Sequence, residues 1–333
     1  MINAAILGLG WWGQTVAKLI KNSSELQIVA AVDPGEGAAA AARALGVRLA
    51  RDLRNVLDDR TIDAVILCTP HTLHHQQILQ VAAARKHVFC EKPLCLELAH
   101  AKEAVEVCGR SGLVLGIGHE RRFEPPMREL RGLVEQGDLG RILQIEANFS
   151  QDKFLSLAST NWRLSAKEAP AGPMTATGIH LLDLVGSFLG PAETVLCRVA
   201  QLGSELANGD TLATLITYSG GGHALISAVL ATPFEGRFAI YGSKGWAEVR
   251  DKAHPESPEG WLLTTSLRGA PRRMKDFPPA PAVLANLESF ARAVAGKESY
   301  PVPTPQLLGT VAVLEAAVRS AVSGQIETVA RLA

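Results

Sequence analysis

Three short stretches of this chain bring together residue types that could do chemistry. Gly8-Leu9-Gly10-Trp11-Trp12-Gly13 has the spacing of a turn that cradles a pyrophosphate. Gly8 would permit the tight turn, Gly10 would let backbone approach the phosphates, and Gly13 would let helix and strand pack closely. Asp33 follows Gly13 by about twenty residues, where a carboxylate can accept hydrogen bonds from an adenosine ribose. Pro34, Gly35 and Glu36 offer no cation for a 2′-phosphate, so NAD is favoured over NADP. Glu91-Lys92-Pro93 ends an apolar run, and its ammonium could enter a cofactor crevice. Taken alone, the glycines also fit an ordinary strand-to-helix turn, and the tripeptide also fits a solvated Glu–Lys pair. The surrounding elements decide between these readings.

Ile2 to Leu7 is a short apolar run that stops at glycines, as a strand buried on both faces does. From Trp12 the pattern becomes Trp12, Val16, Leu19 and Ile20, one face of a helix. The glycine motif therefore lies between a strand and a helix, where phosphates meet free N–H groups and the positive helix end. Gln27 to Val32 is a second strand ending at Asp33, and Ala38 to Leu45 is an alanine-rich helix. Asp63 to Cys68 is a fourth strand. It runs into Thr69-Pro70-His71-Thr72-Leu73-His74-His75 and a helix through about Arg85. Such a loop lies at the carboxyl edge of the sheet, so Thr69, Pro70, His71 and His74 are expected to contact the cofactor. No Asp, Glu or Cys at ligand spacing accompanies these histidines, so no metal is expected. Lys86 to Cys90 is the fifth strand, Leu96 to Ser111 a helix, and Val114 to Ile117 the sixth strand.

Size and composition fit this alternation. A chain of 333 residues exceeds the roughly 250–300 residues at which single cores stop growing, so about two domains are expected. Apolar residues make up 47% and aromatic residues 5%, so the core rests on Ala, Val, Leu and Ile. Lys plus Arg and Asp plus Glu number 33 each, so no net field recruits nucleic acid or anionic lipid. The amino terminus lacks the basic, then long apolar pattern of a signal peptide, and no membrane span is expected. The 5 cysteines are odd in number and lack Cys-x-x-Cys spacing. They read as buried thiols of a cytoplasmic protein.

With Gly118-His119-Glu120-Arg121-Arg122-Phe123, Asn161-Trp162-Arg163 and Gly178-Ile179-His180-Leu181-Leu182-Asp183 added, the chain resembles the Gfo/Idh/MocA oxidoreductases over essentially its whole length. That family is named for glucose–fructose oxidoreductase, inositol dehydrogenase and a rhizopine-catabolism protein. The resemblance implies an α/β chain with a Rossmann dinucleotide-binding domain over residues 1–120. A carboxyl-terminal α/β domain with an open, mainly antiparallel sheet would follow over 121–333, for substrate binding and oligomerisation. It implies NAD or NADP as cofactor and sugars, polyols or related cyclic alcohols as substrates. It also implies a homodimer or homotetramer formed through the open sheet. In relatives the lysine matching Lys92 sits beside nicotinamide and substrate, often before a cis proline.

The second half reads in the same way. Gly140 to Phe149 alternates as a long strand. Strands recur at Val195–Gln201, Thr211–Tyr218, Ala224–Val229, Phe238–Tyr241 and Ala247–Arg250, with glycine-rich hairpin links. Residues 150–173 read as a loop over the active site, and 251–281 as exposed loop around a short strand. Thr304 and Pro305 start a final helix that Gly324 ends. His180 lies in an apolar helical pattern and shares a face with Asp183. By itself it reads as a packed histidine satisfied by Asp183. The resemblance makes it the catalytic acid or base. Relatives commonly carry Asp four residues earlier, where this chain has Ala176.

The expected chemistry is hydride transfer between nicotinamide and a carbinol carbon. His180 takes the hydroxyl proton, and Lys92 hydrogen-bonds the same oxygen. With Ala176 in place of the usual carboxylate, Lys92 is the alternative base, and Asp183 a substitute for orienting His180. Cofactor contacts are expected from Gly8, Gly10, Trp11, Trp12, Gly13, Asp33, Glu91, Lys92, Trp162 and Arg163. Substrate contacts are expected from Lys92, Arg121, Arg163, His180 and Asp183. An NAD-dependent glycoside hydrolase and a non-catalytic NAD(P)-binding sensor are the alternative readings.

Overall fold

The computed structural model describes residues 1–332. The chain divides into two compact units, Met1–Glu120 with Ala282–Leu307, and Arg121–Pro281 with Leu308–Ala333. The expected division at residue 120 does not include the return of 282–307 to the first unit.

In the first unit, strands β1 (Ile2–Leu7), β2 (Leu26–Val32), β3 (Arg48–Ala50), β4 (Ala64–Leu67), β5 (His87–Cys90) and β6 (Leu115–Ile117) form one sheet. Its order is β3-β2-β1-β4-β5-β6 and every pairing is parallel. The central strands are apolar without alternation because both faces are covered: Ala64 to Leu67 are all buried. Helices Trp11–Ile20, Ala38–Leu45, His74–Ala83 and Leu98–Arg110 supply the crossovers. The order reverses between β1 and β4, and the crevice beyond their carboxyl ends is where such sheets bind ligands.

Helix Ala282–Val294 belongs to this core. Leu287, Phe290 and Ala291 pack with Ala4, Ile6 and Phe89, and the Phe89 and Phe290 rings meet edge-on at 5.5 Å. Gly116 makes this possible, since a Cβ there would lie 2.7 Å from Phe89 and 2.8 Å from Phe290. The Tyr300 hydroxyl and the Asn286 amide satisfy the backbone of Ile117 at the sheet edge.

The second unit is built on β7 (Ile142–Ser150), β8 (Ala192–Ala200), β9 (Thr211–Tyr218), β10 (His223–Val229), β11 (Glu235–Gly242), β12 (Gly245–Asp251), β13 (Trp261–Leu267), β14 (Arg273–Phe277) and β15 (Glu327–Thr328). Their order is β14-β13-β12-β11-β7-β10-β9-β8-β15. All neighbours are antiparallel except β7 and β10. Alternation is strict in β9, where Leu212, Thr214, Ile216 and Tyr218 are buried and the residues between them are not. Helices Ile179–Leu189 and Pro125–Glu135 lie against the sheet.

The stretch 251–281 corrects the sequence reading. It holds the hairpin of β13 and β14 rather than a loop around one short strand. The charged Arg-Met-Lys-Asp run of β14 hides its periodicity because it is an exposed edge strand, where charge guards against further pairing. Among the described residues no disulfide forms, and no helix is long and apolar enough to cross a membrane.

Candidate functional site

The glycine turn of the first unit has a distinct reason for each glycine. Gly8 has φ +89°, and a Cβ there would lie 2.6 Å from the Cys68 carbonyl oxygen. A Cβ on Gly13 would fall 1.9 Å from the Gly8 carbonyl oxygen, so only glycine lets helix Trp11–Ile20 sit this close to the turn. Gly10 meets nothing within 4 Å. It is the N-cap of the helix and has no side-chain cap, leaving open space beside the helix N–H groups. That is the arrangement a pyrophosphate needs. The Trp11 ring is 56% exposed and lies 5.5 Å from that of Trp12.

Asp33 ties the turn to the end of β2. Its carboxylate accepts from the N–H of Leu9 and of Gly35, both at 2.6 Å. A carboxylate has about four lone-pair sites, so acceptor capacity remains for ribose hydroxyls. The residues present therefore fit a dinucleotide.

The loop after β4 serves the next strand end. Thr69 Oγ1 donates to Gln77 Oε1 at 2.5 Å, Pro70 precedes a single helical turn, and His71 is buried. His74 corrects the sequence reading. It is 0% exposed, with Nδ1 2.8 Å from the Pro93 carbonyl oxygen and Nε2 3.1 Å from that of Thr69. Enclosed in this way it anchors backbone instead of meeting a cofactor. His75 turns elsewhere, pairing with Glu103 and stacking on His100. Among the described residues no group of His, Cys, Asp or Glu is arranged to hold a metal ion.

Lys92 is half-buried at the end of β5, and its bond to Pro93 is cis. Beside it the Glu91 carboxyl is buried, and burial pushes its pKa up to about 7. The Trp12 indole works the other way, close to the carboxyl though outside strict hydrogen-bond geometry. Glu120 adds repulsion that raises the value, and the Lys92 charge lowers it.

In the second unit His180 is buried on helix Ile179–Leu189, which continues directly from a π-helical turn at Met174–Gly178. Ala176 lies in that turn. Wide turns of this kind recur at functional sites because they re-aim the side chains that follow. Asp183, expected beside His180, is held by Arg122. Its two oxygens accept from Arg122 Nε at 2.6 Å and Nη2 at 2.7 Å. Arg121 is held in a similar way. At 2% exposure its guanidinium donates to both oxygens of Asp251, which also accepts from the Trp261 indole. Both are buried ion pairs within the second unit. Arg163 lies 4.2 Å over the ring of Trp162, both half-buried.

Around His180 the structure gathers Phe149, Phe234 and His254, which the sequence did not single out. The Phe149 ring lies 5.9 Å from His180 and 5.7 Å from His254, and Phe234 completes the group. His254 Nε2 lies 2.7 Å from Gln151 Oε1, and its Nδ1 is 3.0 Å from Lys153 Nζ. About a hundred residues separate the two sides of this cluster, so no local spacing signals it.

Two models of one family match the chain. Residues 2–119 match "Oxidoreductase family, NAD-binding Rossmann fold", and residues 127–248 match the GFO/IDH/MocA C-terminal domain. The oxidoreductase YrbE of Bacillus subtilis (strain 168) is 30% identical over 217 residues, which are 62% of this chain and 61% of that protein. The match thus spans less than two thirds of that relative's length. The 1,5-anhydro-D-fructose reductase of Ensifer adhaerens is 26% identical over 317 residues, 94% of this chain and 90% of that protein. The crystal structure of an aldose-aldose oxidoreductase from Caulobacter crescentus, complexed with glycerol, aligns with a TM-score of 0.86 at 22% identity. That alignment covers 98% of this chain and 99% of the other, and establishes a common fold. The chain belongs to the Gfo/Idh/MocA oxidoreductase family, with an NAD-binding Rossmann fold in its first half.

Proposed function

We propose that this protein is an NAD-dependent oxidoreductase acting on a hydroxyl-bearing carbon of a sugar, polyol or related cyclic alcohol. The observation that carries the reading is the single carboxyl edge shared by the Gly8–Gly13 turn, Asp33 and Lys92. When bound, the nicotinamide is the hydride acceptor or donor. Asp33 selects a free ribose 2′-hydroxyl, because a 2′-phosphate would be repelled there. Lys92 stabilises negative charge on the reacting oxygen. The hydroxyl proton is assigned to His180, with Lys92 as the second choice of base. Names among the relatives, 1,5-anhydro-D-fructose and aldoses, support a sugar-like substrate. Self-association through the open sheet is part of the same reading. Its outer face holds a concavity of about 360 Å³, with Leu196, Ala213, Leu215 and Leu225 beside Arg237 and Glu146. A reducing cytoplasmic setting fits five cysteines without a disulfide.

The test is NAD reduction over a panel of polyols and sugars by the parent protein, Lys92→Ala and His180→Ala. Both variants should lose about 10²-fold or more in kcat. Turnover unchanged in both would remove the assignment.

A further inference from the structure

Glu91 precedes Lys92, yet its carboxyl does not extend into solvent. It is 7% exposed and occupies a seat made by a missing side chain. A Cβ on Gly118 would come within 2.5 Å of Oε2 and 2.7 Å of both Cδ and Oε1. The groups that face it come from every neighbouring element. Trp12 comes from helix Trp11–Ile20, Glu120 from the turn after β6, and Lys92 and Cys90 from its own strand end. His119, beside Glu120, is buried too. The Cys90 thiol stays protonated, since burial holds its pKa well above the ordinary value. The Lys92 N–H lies 3.3 Å from Oε2. The carboxyl therefore has one cation and one carboxylate for company, in a seat that solvates charge poorly.

The position of β5 gives this arrangement a ligand. In a sheet of this order the two nucleotide halves lie on either side of the β1/β4 switch point. Asp33 claims the β2 side for the adenosine. Glu91 and Lys92 lie on the other side, which belongs to the nicotinamide. The two redox forms of that ring differ by a full positive charge.

We propose that Glu91 distinguishes the oxidised from the reduced cofactor, its carboxylate stabilising cationic NAD⁺ while adding nothing for neutral NADH. This rests on the NAD-dependent reading above. Where Glu91 is protonated in the empty site, NAD⁺ binding releases that proton to solvent, and NADH binding does not. The sign follows from linkage. A pKa near 7 leaves the carboxyl neutral below that pH and charged above it. A bound cation lowers the pKa, so NAD⁺ affinity rises as pH rises through that range. Glu91 thus acts beside Lys92 by charge, as a positioning and tuning residue.

The experiment measures dissociation constants of NAD⁺ and of NADH, by tryptophan fluorescence and calorimetry, from about pH 6 to about pH 8.5. The parent, Glu91→Gln and Glu120→Gln are compared. In the parent the affinity for NAD⁺ relative to NADH should climb by up to ~10-fold, the equivalent of one pKa unit. In Glu91→Gln the ratio of NAD⁺ to NADH affinity should no longer change with pH. Glu120→Gln removes a repulsive neighbour, so its midpoint should move to lower pH. A parent ratio independent of pH would overturn the proposal while leaving NAD dependence intact. A slope retained in Glu91→Gln would pass the titration to another group and overturn it equally. Binding of neither cofactor form would overturn the NAD reading and this inference with it.

Discussion

The Nδ1 of His74 lies 2.8 Å from the carbonyl oxygen of Pro93, nineteen residues further along the chain. The contact joins the start of helix His74–Ala83 to the turn that follows Lys92, so a residue on one crossover fixes backbone beside Lys92 at the end of the next strand. With Nε2 near the Thr69 carbonyl, the imidazole spans the ends of β4 and β5.

Replacing His74 with Phe keeps much of the volume and removes the polar contacts. Leaving a buried carbonyl unsatisfied costs about 1–3 kcal/mol. The urea midpoint should fall by a corresponding amount, and kcat should drop because the Lys92 turn loses its anchor. Unaltered stability and turnover would show that the imidazole holds nothing.

Gly10 and Gly13 should respond oppositely to alanine. At Gly13 the new Cβ meets the Gly8 carbonyl 1.9 Å away, and backbone on one side or the other must move. Gly13→Ala should lower Tm and weaken NADH binding together. At Gly10 nothing stands within 4 Å, so Gly10→Ala should melt like the parent, while its methyl occupies space a pyrophosphate needs. Its NADH affinity should fall by about 10-fold or more. Calorimetric melts with cofactor titrations decide this, and equal affinity for Gly10→Ala and the parent would count against the cradle.

The parts of the fold legible in sequence are those whose signal is local. β1, β4 and β5 are short, mainly apolar runs, and the glycine turn declares itself by spacing between a strand and a helix. Helix Ala282–Val294 was not legible as part of the first core, because nothing near Phe290 encodes its contact with Phe89 two hundred residues earlier. The seat of Glu91 on Gly118 is hidden for the same reason, and so is the grouping of His254 with Phe149. Asp183 shows the complementary limit. Helical spacing put it on the His180 face, and nothing local signalled that the Arg122 guanidinium, 61 residues earlier, takes both of its oxygens.

That pairing gives a last expectation, which separates a structural role for Asp183 from an orienting one. The Asp183 side chain is 1% exposed and that of Arg122 12%. Removing one partner from such a pair leaves a charge without compensation and costs about 3–5 kcal/mol. Asp183→Ala should therefore lower stability strongly in urea unfolding. The double replacement Asp183→Leu with Arg122→Leu should be much less damaging than the sum of the single changes, because no buried charge is then stranded. If Asp183 instead oriented His180, the double variant would regain stability no better than the singles predict. Its turnover would also fall further than that of Arg122→Leu alone. Measuring stability and turnover on the two single leucine replacements and the double distinguishes the two roles.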